Sequence, residues 1–348
     1  WLNNWNRCEA VGAQARFDEG WTIDFIADFP AESASSTWRD YLRQSRSKSG
    51  AVAAAPASAL IVWSSRIDLS FVKSLIAELV PPHRQRNWKK GNQIVRGLLL
   101  GYDPLDDVLP RLGPGFLGWV APSTGDVAKG EWPWQALAQF TLQKRSEVDS
   151  TGSGEDRKPE KLPKVEFHAA LDNALSTGLN LAAAGVNSRS PETTAVARSE
   201  LLGDLRLRWI DGIDAWKPAV GVSPSRISFA TSPHAIRDAN TTKSDAQRSL
   251  PSAAEAALRR CVADPDHWIH FDLAGIRASL DANRAFLTSE SFREERMSLD
   301  ESERRLNDVI DLLRVFNSLI VAVRLDEARL QAALSGRLDT AGAGAVTP

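Results

Sequence analysis

The chain has 348 residues, 43% hydrophobic and 25% charged, ordinary values for a globular protein that buries a sizeable core. Its net charge of −2 supplies no general attraction to nucleic acid or to an anionic membrane, so duplex nucleic acid is not expected as a partner. The longest apolar runs, such as that in SLIVAV at 318–323, are far too short to cross a bilayer.

Residues 9–29 read as a β-hairpin. Trp21, Ile23, Phe25, Ala27 and Phe29 alternate with more polar neighbours, the period of a half-buried strand, and DEG at 18–20 makes the turn. RQSRSKSGAVAAAPAS, 43–58, is a low-complexity connector, and ALIVWS, 59–64, is a strand. A helix follows, with Asp68 as N-cap, a stripe of Leu69, Val72, Leu75, Ile76 and Leu79, and a stop at Pro81 and Pro82. PHRQRNWKK, 82–90, is then a basic loop. In GYDPLDDVLPRLGPGFLGWV, Asp103–Pro104 starts a helix, because the carboxylate accepts the first orphan N–H groups and proline suits the first position. Gly113, Pro114 and Gly115 break the chain before the strand FLGWVA.

KRSEVDSTGSGEDRKPEKLPK, 144–164, is charged and almost free of large apolar residues, the composition of a linker or long surface loop. It divides an N-terminal α+β unit, 1–143, from a C-terminal unit, 165–340, with 341–348 a disordered tail. The second unit opens on an amphipathic helix, 165–186, striped by Leu171, Leu175, Leu179, Ala182 and Val186. The strand DLRLRWI comes next, then a hairpin turning at SPSR with Pro224 in second position, and a short helix capped by Ser232. A helix at 252–262 leads into the strand HWIHFD and a further helix. Ser298 and Glu301 form a capping box for the next one, and SLIVAVRLD closes as a strand. EARLQAALSG is ambiguous: its propensity favours helix, while the alternation of Leu330, Ala332 and Leu334 permits a strand.

RIDLSFVKSLI (66–76) and HFDLAGIRASL (270–280) echo one another, each placing apolar-Asp-Leu after an apolar strand, with Asp68 and Asp272 as caps. The expected architecture is α+β: antiparallel sheets of hairpins and meanders with helices on one face, the echo allowing two similar units.

Three stretches together, LLLGYDPLDDVLPRLGPGFLGWVAPS, KPAVGVSPSRISFATSPHAIRDA and the strand-then-Asp-Leu joints, resemble a family of large bacterial extracytoplasmic proteins, frequent in planctomycetes and catalogued as domains of unknown function. The resemblance implies an antiparallel α+β fold and an envelope-anchored, periplasmic or secreted location, and it carries no catalytic residues. The chain opens on Trp1 and its single methionine is Met297, so a leader or anchor is expected upstream.

His267, His270 and Asp272 are the candidate metal ligands. On a strand, His270 and Asp272 share a face and His267 points the other way, which disfavours a joint site. GVSPS, 221–225, misses the serine-hydrolase elbow by its second glycine, and nothing ties His168 or His234 to Ser223. Arg84, Arg86, Trp88, Lys89 and Lys90 are candidates for gripping a polyanion, with the indole free to stack. Cys8 and Cys261 match no metal spacing; they pair only if the fold joins them. No cofactor is implied. The expected function is a non-catalytic extracytoplasmic structural or binding protein, whose partner is an envelope component or a small apolar or glycan ligand. The alternatives are a metal-dependent hydrolase using His267, His270 and Asp272, and a polyanion-binding module.

Overall fold

The computed structural model describes residues 8–17, 20–29, 55–66, 69, 85–123, 132–143, 165–190, 192–213, 217–241, 251–295, 297–326 and 329–338. Twelve strands among them form one antiparallel sheet: β1 (Ala10–Phe17), β2 (Trp21–Asp28), β3 (Ile61–Arg66), β4 (Leu112–Pro122), β5 (Trp134–Leu142), β6 (Val196–Leu202), β7 (Leu205–Asp211), β8 (Ala219–Ser223), β9 (Arg226–Ala230), β10 (His267–Asp272), β11 (Phe316–Leu325) and β12 (Arg329–Leu338). Their spatial order is β1-β2-β12-β11-β10-β3-β4-β5-β9-β8-β7-β6. The helices are α1 (Gln85–Leu98), α2 (Phe167–Arg189), α3 (Pro233–Thr241), α4 (Ser252–Arg260), α5 (Leu273–Ala282), α6 (Arg284–Glu295) and α7 (Leu299–Leu313). The fold is α+β and dominated by its sheet. None of the described helices is long and apolar enough to cross a membrane.

Strands from before and after residues 144–164 interleave: β2 pairs with β12, β3 with β10 and β5 with β9. The two sequence segments therefore share one sheet. Read outward from the β3–β10 junction, the order has the same pattern in both directions, β3-β4-β5-β9-β8 one way and β10-β11-β12-β2-β1 the other. One transverse row runs through all twelve strands, Gln14–Asp24–Ala333–Ala322–Trp268–Ser64–Leu117–Gln139–Ser228–Gly221–Leu207–Glu200. In that row the 40 positions from Asp24 to Ser64 match the 40 from Ser228 to Trp268.

The caps form as the sequence dictates. The Asp103 carboxylate accepts from the amides of Leu105 (2.9 Å) and Asp106 (3.1 Å), and the Asp103 amide donates to Asp107 (2.8 Å), opening a helical turn over 104–111 that buries Val108. Asp272 accepts from the Gly275 amide at 3.0 Å and caps α5, and Ser298 accepts from the Glu301 amide at 3.2 Å and caps α7. Asp68 and the expected stripe over 69–79 lie largely outside the described residues, as do most of the 43–58 connector, the 144–164 segment and the 341–348 tail.

Several expectations are corrected. Residues 85–90 belong to helix α1 and are not a loop. For EARLQAALSG, where helix and strand both stood open, the described residues from Arg329 on form β12: two neighbouring strands pair with it, and those ladders override a helical propensity of a few tenths of a kcal/mol per residue. Gly113, Pro114 and Gly115 lie inside β4, where the register with β5 shifts between Leu112 and Phe116. The reading of the sequence left β5 and β6 unassigned. Helices also flank both faces of β8. Val220 and Val222 pack with Ala170 and Leu171 of α2, whereas Ala219 packs with Ala235 and Ile236 of α3. All five β8 residues are buried, so one-sided helix cover does not describe this part of the sheet.

Candidate functional site

The central strands carry small and polar residues on the sheet face that α3 and α4 cover. Directly paired residues share a face, so Trp268, Ser64, Leu117, Gln139 and Ser228 form a continuous floor. Leu117 and Trp268 are buried, and so is Gln139, whose amide nitrogen donates to Ser228 Oγ at 2.9 Å. Beside Gln139, Thr141 Oγ1 accepts from the Gly115 amide at 3.1 Å. Above this floor lies a cleft of about 510 Å³, walled by Leu258 of α4 and by Cys261 and the chain leading to Asp266. That volume is within the range of small-molecule sites.

Ion pairs and backbone bonds hold the rim. Arg66 pairs with Asp264, its Nη1 3.2 Å from Oδ2, and the Arg66 amide donates to the Asp266 carbonyl at 2.8 Å. The Leu325 amide donates to Asp266 Oδ2 at 2.8 Å, and Arg324 donates to the Ala263 carbonyl at 3.2 Å. Asp264 sits at φ 50°, in the left-handed region that Asp enters more readily than most side chains, and its carboxylate carries the ion pair to Arg66. Burial, with help from the nearby Asp24 charge, pushes the Cys261 thiol up to about 11, so it stays protonated and is a poor nucleophile. Cys8 and Cys261 are both free thiols.

The histidines are not gathered around a common point. His267 and His270 lie three positions apart on β10 and project from opposite faces. His270 is fully buried between Ile320 and Val62 in the ladder, and neither ring nitrogen has a hydrogen-bond partner. Burial lowers the pKa of both imidazoles, against the opposing charge of Asp266 on His267 and of Asp272 on His270. The Asp272 carboxylate is engaged at the α5 cap. Among the described residues no group of three or more His, Cys, Asp or Glu side chains could hold a metal ion. Ser223 is buried, its hydroxyl 3.4 Å from Ser225 Oγ and 3.5 Å from the Arg226 carbonyl. His168 pairs instead with Glu166 at 3.4 Å.

Of the basic cluster, Arg84 lies outside the described residues. Arg86, Trp88 and Lys89 fall in the first turns of α1, and Lys90 is exposed there. The cleft residues Ser64, Leu117, Gln139 and Thr141 were not singled out from the sequence. The alternation in WQALAQFTL, which places Gln135, Leu137, Gln139 and Thr141 on one face, is the signal that would have located half of them.

Fold and site together define an antiparallel-sheet α+β protein with a small-molecule-sized cleft over its central strands. Comparison with family models, curated proteins and solved structures finds no match to this chain.

Proposed function

We propose that the protein is a non-catalytic binding protein of the extracytoplasmic space, holding a small amphipathic ligand in the cleft over β3, β4 and β5. The observation that carries this reading is the lining: Leu117, Leu258 and Trp268 supply apolar surface and Ser64, Gln139 and Thr141 place neutral hydrogen-bonding groups on the floor, while charges at the rim are paired with one another, Arg66 with Asp264 and Arg259 with Glu255. Such a surface suits a molecule with an aliphatic or ring body and an uncharged polar group, such as a lipid fragment or a glycan. The location rests on the resemblance of LGYDPLDDVLPRLGP and FATSPHAIRD to extracytoplasmic proteins.

The test is a tryptophan-fluorescence titration of the purified protein with monoacyl lipids and neutral oligosaccharides, repeated on Leu258→Glu and Gln139→Leu. Saturable binding by a member of either class, weakened about tenfold or more by each variant, is the expected result. Absence of saturable binding to both classes, or turnover of a bound compound, overturns it.

The same reading takes the two halves of the sheet as copies of one α+β unit with exchanged hairpins. It is supported by the mirrored strand order, by the sequence echo that sets Asp68 after RI and Asp272 after HF, and by the matched 40-residue spacings. Asp68 and Asp272 are 204 positions apart, as are Ser64 and Trp268, which pair directly across the junction. A pseudo-twofold axis through that pair is the arrangement a duplicated unit requires.

A further inference from the structure

Helix α1 has a composition that the folding of this chain does not explain. Arg86, Lys89 and Lys90 stand in its first two turns, at the positive end of the helix dipole, where cations are unfavourable. No Asp or Glu occurs anywhere from 83 to 102, so no acidic residue within the helix offsets them. The helix is fixed to the body along one side. Asn92 donates to Asp103 Oδ2 at 3.0 Å, Arg96 donates to the Gly101 carbonyl at 2.9 Å, and the Leu98 carbonyl accepts from Asn173 of α2 at 3.1 Å. Roughly opposite Asn92 and Arg96 on the helix lie Lys90, Ile94 and Gly97, all exposed. Ile94 is 69% exposed, Val95 41%, and Leu100 just beyond the helix 42%. Single exposed aliphatic residues are common, but Ile94 stands one turn beyond the exposed Lys90 on the same face of the helix, which sets an apolar side chain beside a cation.

We propose that α1 docks the protein onto an anionic lipid surface. Excess positive charge on this helix complements anionic headgroups. Ile94 and Val95 enter the boundary between headgroups and acyl chains, as the apolar face of an interfacial helix does. The whole-chain charge of −2 does not oppose this, because headgroup attraction is local and decays within a Debye length of about 8–10 Å. A purely electrostatic polyanion contact would need the cations and would have no use for Ile94. That difference separates the two readings.

The experiment is co-sedimentation of the full chain with vesicles of phosphatidylcholine alone and of phosphatidylcholine mixed with phosphatidylglycerol, with retention on heparin measured in parallel. Wild type is expected to partition about tenfold or more in favour of the anionic vesicles, and to lose that preference in high salt. Lys89→Glu with Lys90→Glu should abolish vesicle binding and reduce heparin retention. Ile94→Ser with Val95→Ser should weaken vesicle binding about tenfold while leaving heparin retention and the far-ultraviolet circular dichroism unchanged. Equal partition of wild type to both vesicle types overturns the proposal. So does an Ile94→Ser, Val95→Ser variant that binds anionic vesicles as wild type does, since the surface would then be a polyanion site.

Discussion

His270 allows a quantitative test of how the centre of the sheet is held. Its ring is fully buried and unpartnered, so the folded protein keeps it neutral, with a pKa below the 6.5 of an exposed imidazole. The unfolded chain then binds more protons below pH 6.5, and this group makes stability fall as pH falls. The contribution is fully present above pH 6.5. Below it, stability is lost at up to about 1.4 kcal/mol per pH unit for each such histidine, until the pH passes the folded pKa. His267 adds a second loss of the same sign. Urea unfolding followed by tryptophan fluorescence at pH 7.5, 6.5, 5.5 and 4.5 reads the slope directly. His270→Leu should remove one histidine's share of it. At pH 7.5 the variant should be as stable as wild type or more so by about 1 kcal/mol, because two unsatisfied buried nitrogens disappear with little change of volume. Identical pH dependence in wild type and His270→Leu would refute the reasoning, as would a loss of more than about 2 kcal/mol at pH 7.5, which would show that the imidazole makes a favourable polar interaction.

Two further expectations follow from buried contacts. Asp172 of α2 is 3% exposed and takes a bidentate contact from Arg208, at 2.7 and 2.8 Å, and a third from Arg206 at 3.3 Å. Burial raises its pKa, but the Arg208 hydrogen bond and the two guanidinium charges outweigh this and hold it below the ordinary value. Asp172→Ala should therefore cost about 3 kcal/mol in urea unfolding at pH 7, and the wild type's contribution from this group should disappear on acidification below about pH 4. Gly118 of β4 lies against the Trp63 indole, and a Cβ there would collide with its ring. Gly118→Ala should be destabilised by about 1–3 kcal/mol in thermal melting, and Gly118→Ala with Trp63→Leu should recover part of the loss.

Local chemistry was legible where the chain makes its own partners. The hairpins over β1–β2 and β8–β9, the caps at Asp103, Asp272 and Ser298, and the helix striped by Leu171 and Leu175 all depend on residues within a few positions of one another, and they could be read from spacing alone. The opposed faces of His267 and His270 were legible for the same reason, since strand alternation is local. The β12 segment was not, because it is sandwiched between β11, its hairpin partner, and β2, some 300 positions away, and no local propensity reports that second pairing. Nor was the cleft. Its floor combines Ser64, Leu117, Gln139 and Trp268, four strands' worth of chain drawn from both sides of the 144–164 segment.

By itself, then, the sequence determined an α+β protein rich in antiparallel hairpins, with capped helices and without a membrane-spanning helix among the described residues. Only the tertiary structure decided that these pieces form one twelve-stranded sheet, that helices flank both faces of β8, and that the central strands bring Leu117 and Trp268 beside Ser64 and Gln139 beneath a cleft. Periodicity reports whether a face is buried. What buries it depends on which distant strand lies alongside, and that is settled by the summed pairing and packing of the whole chain.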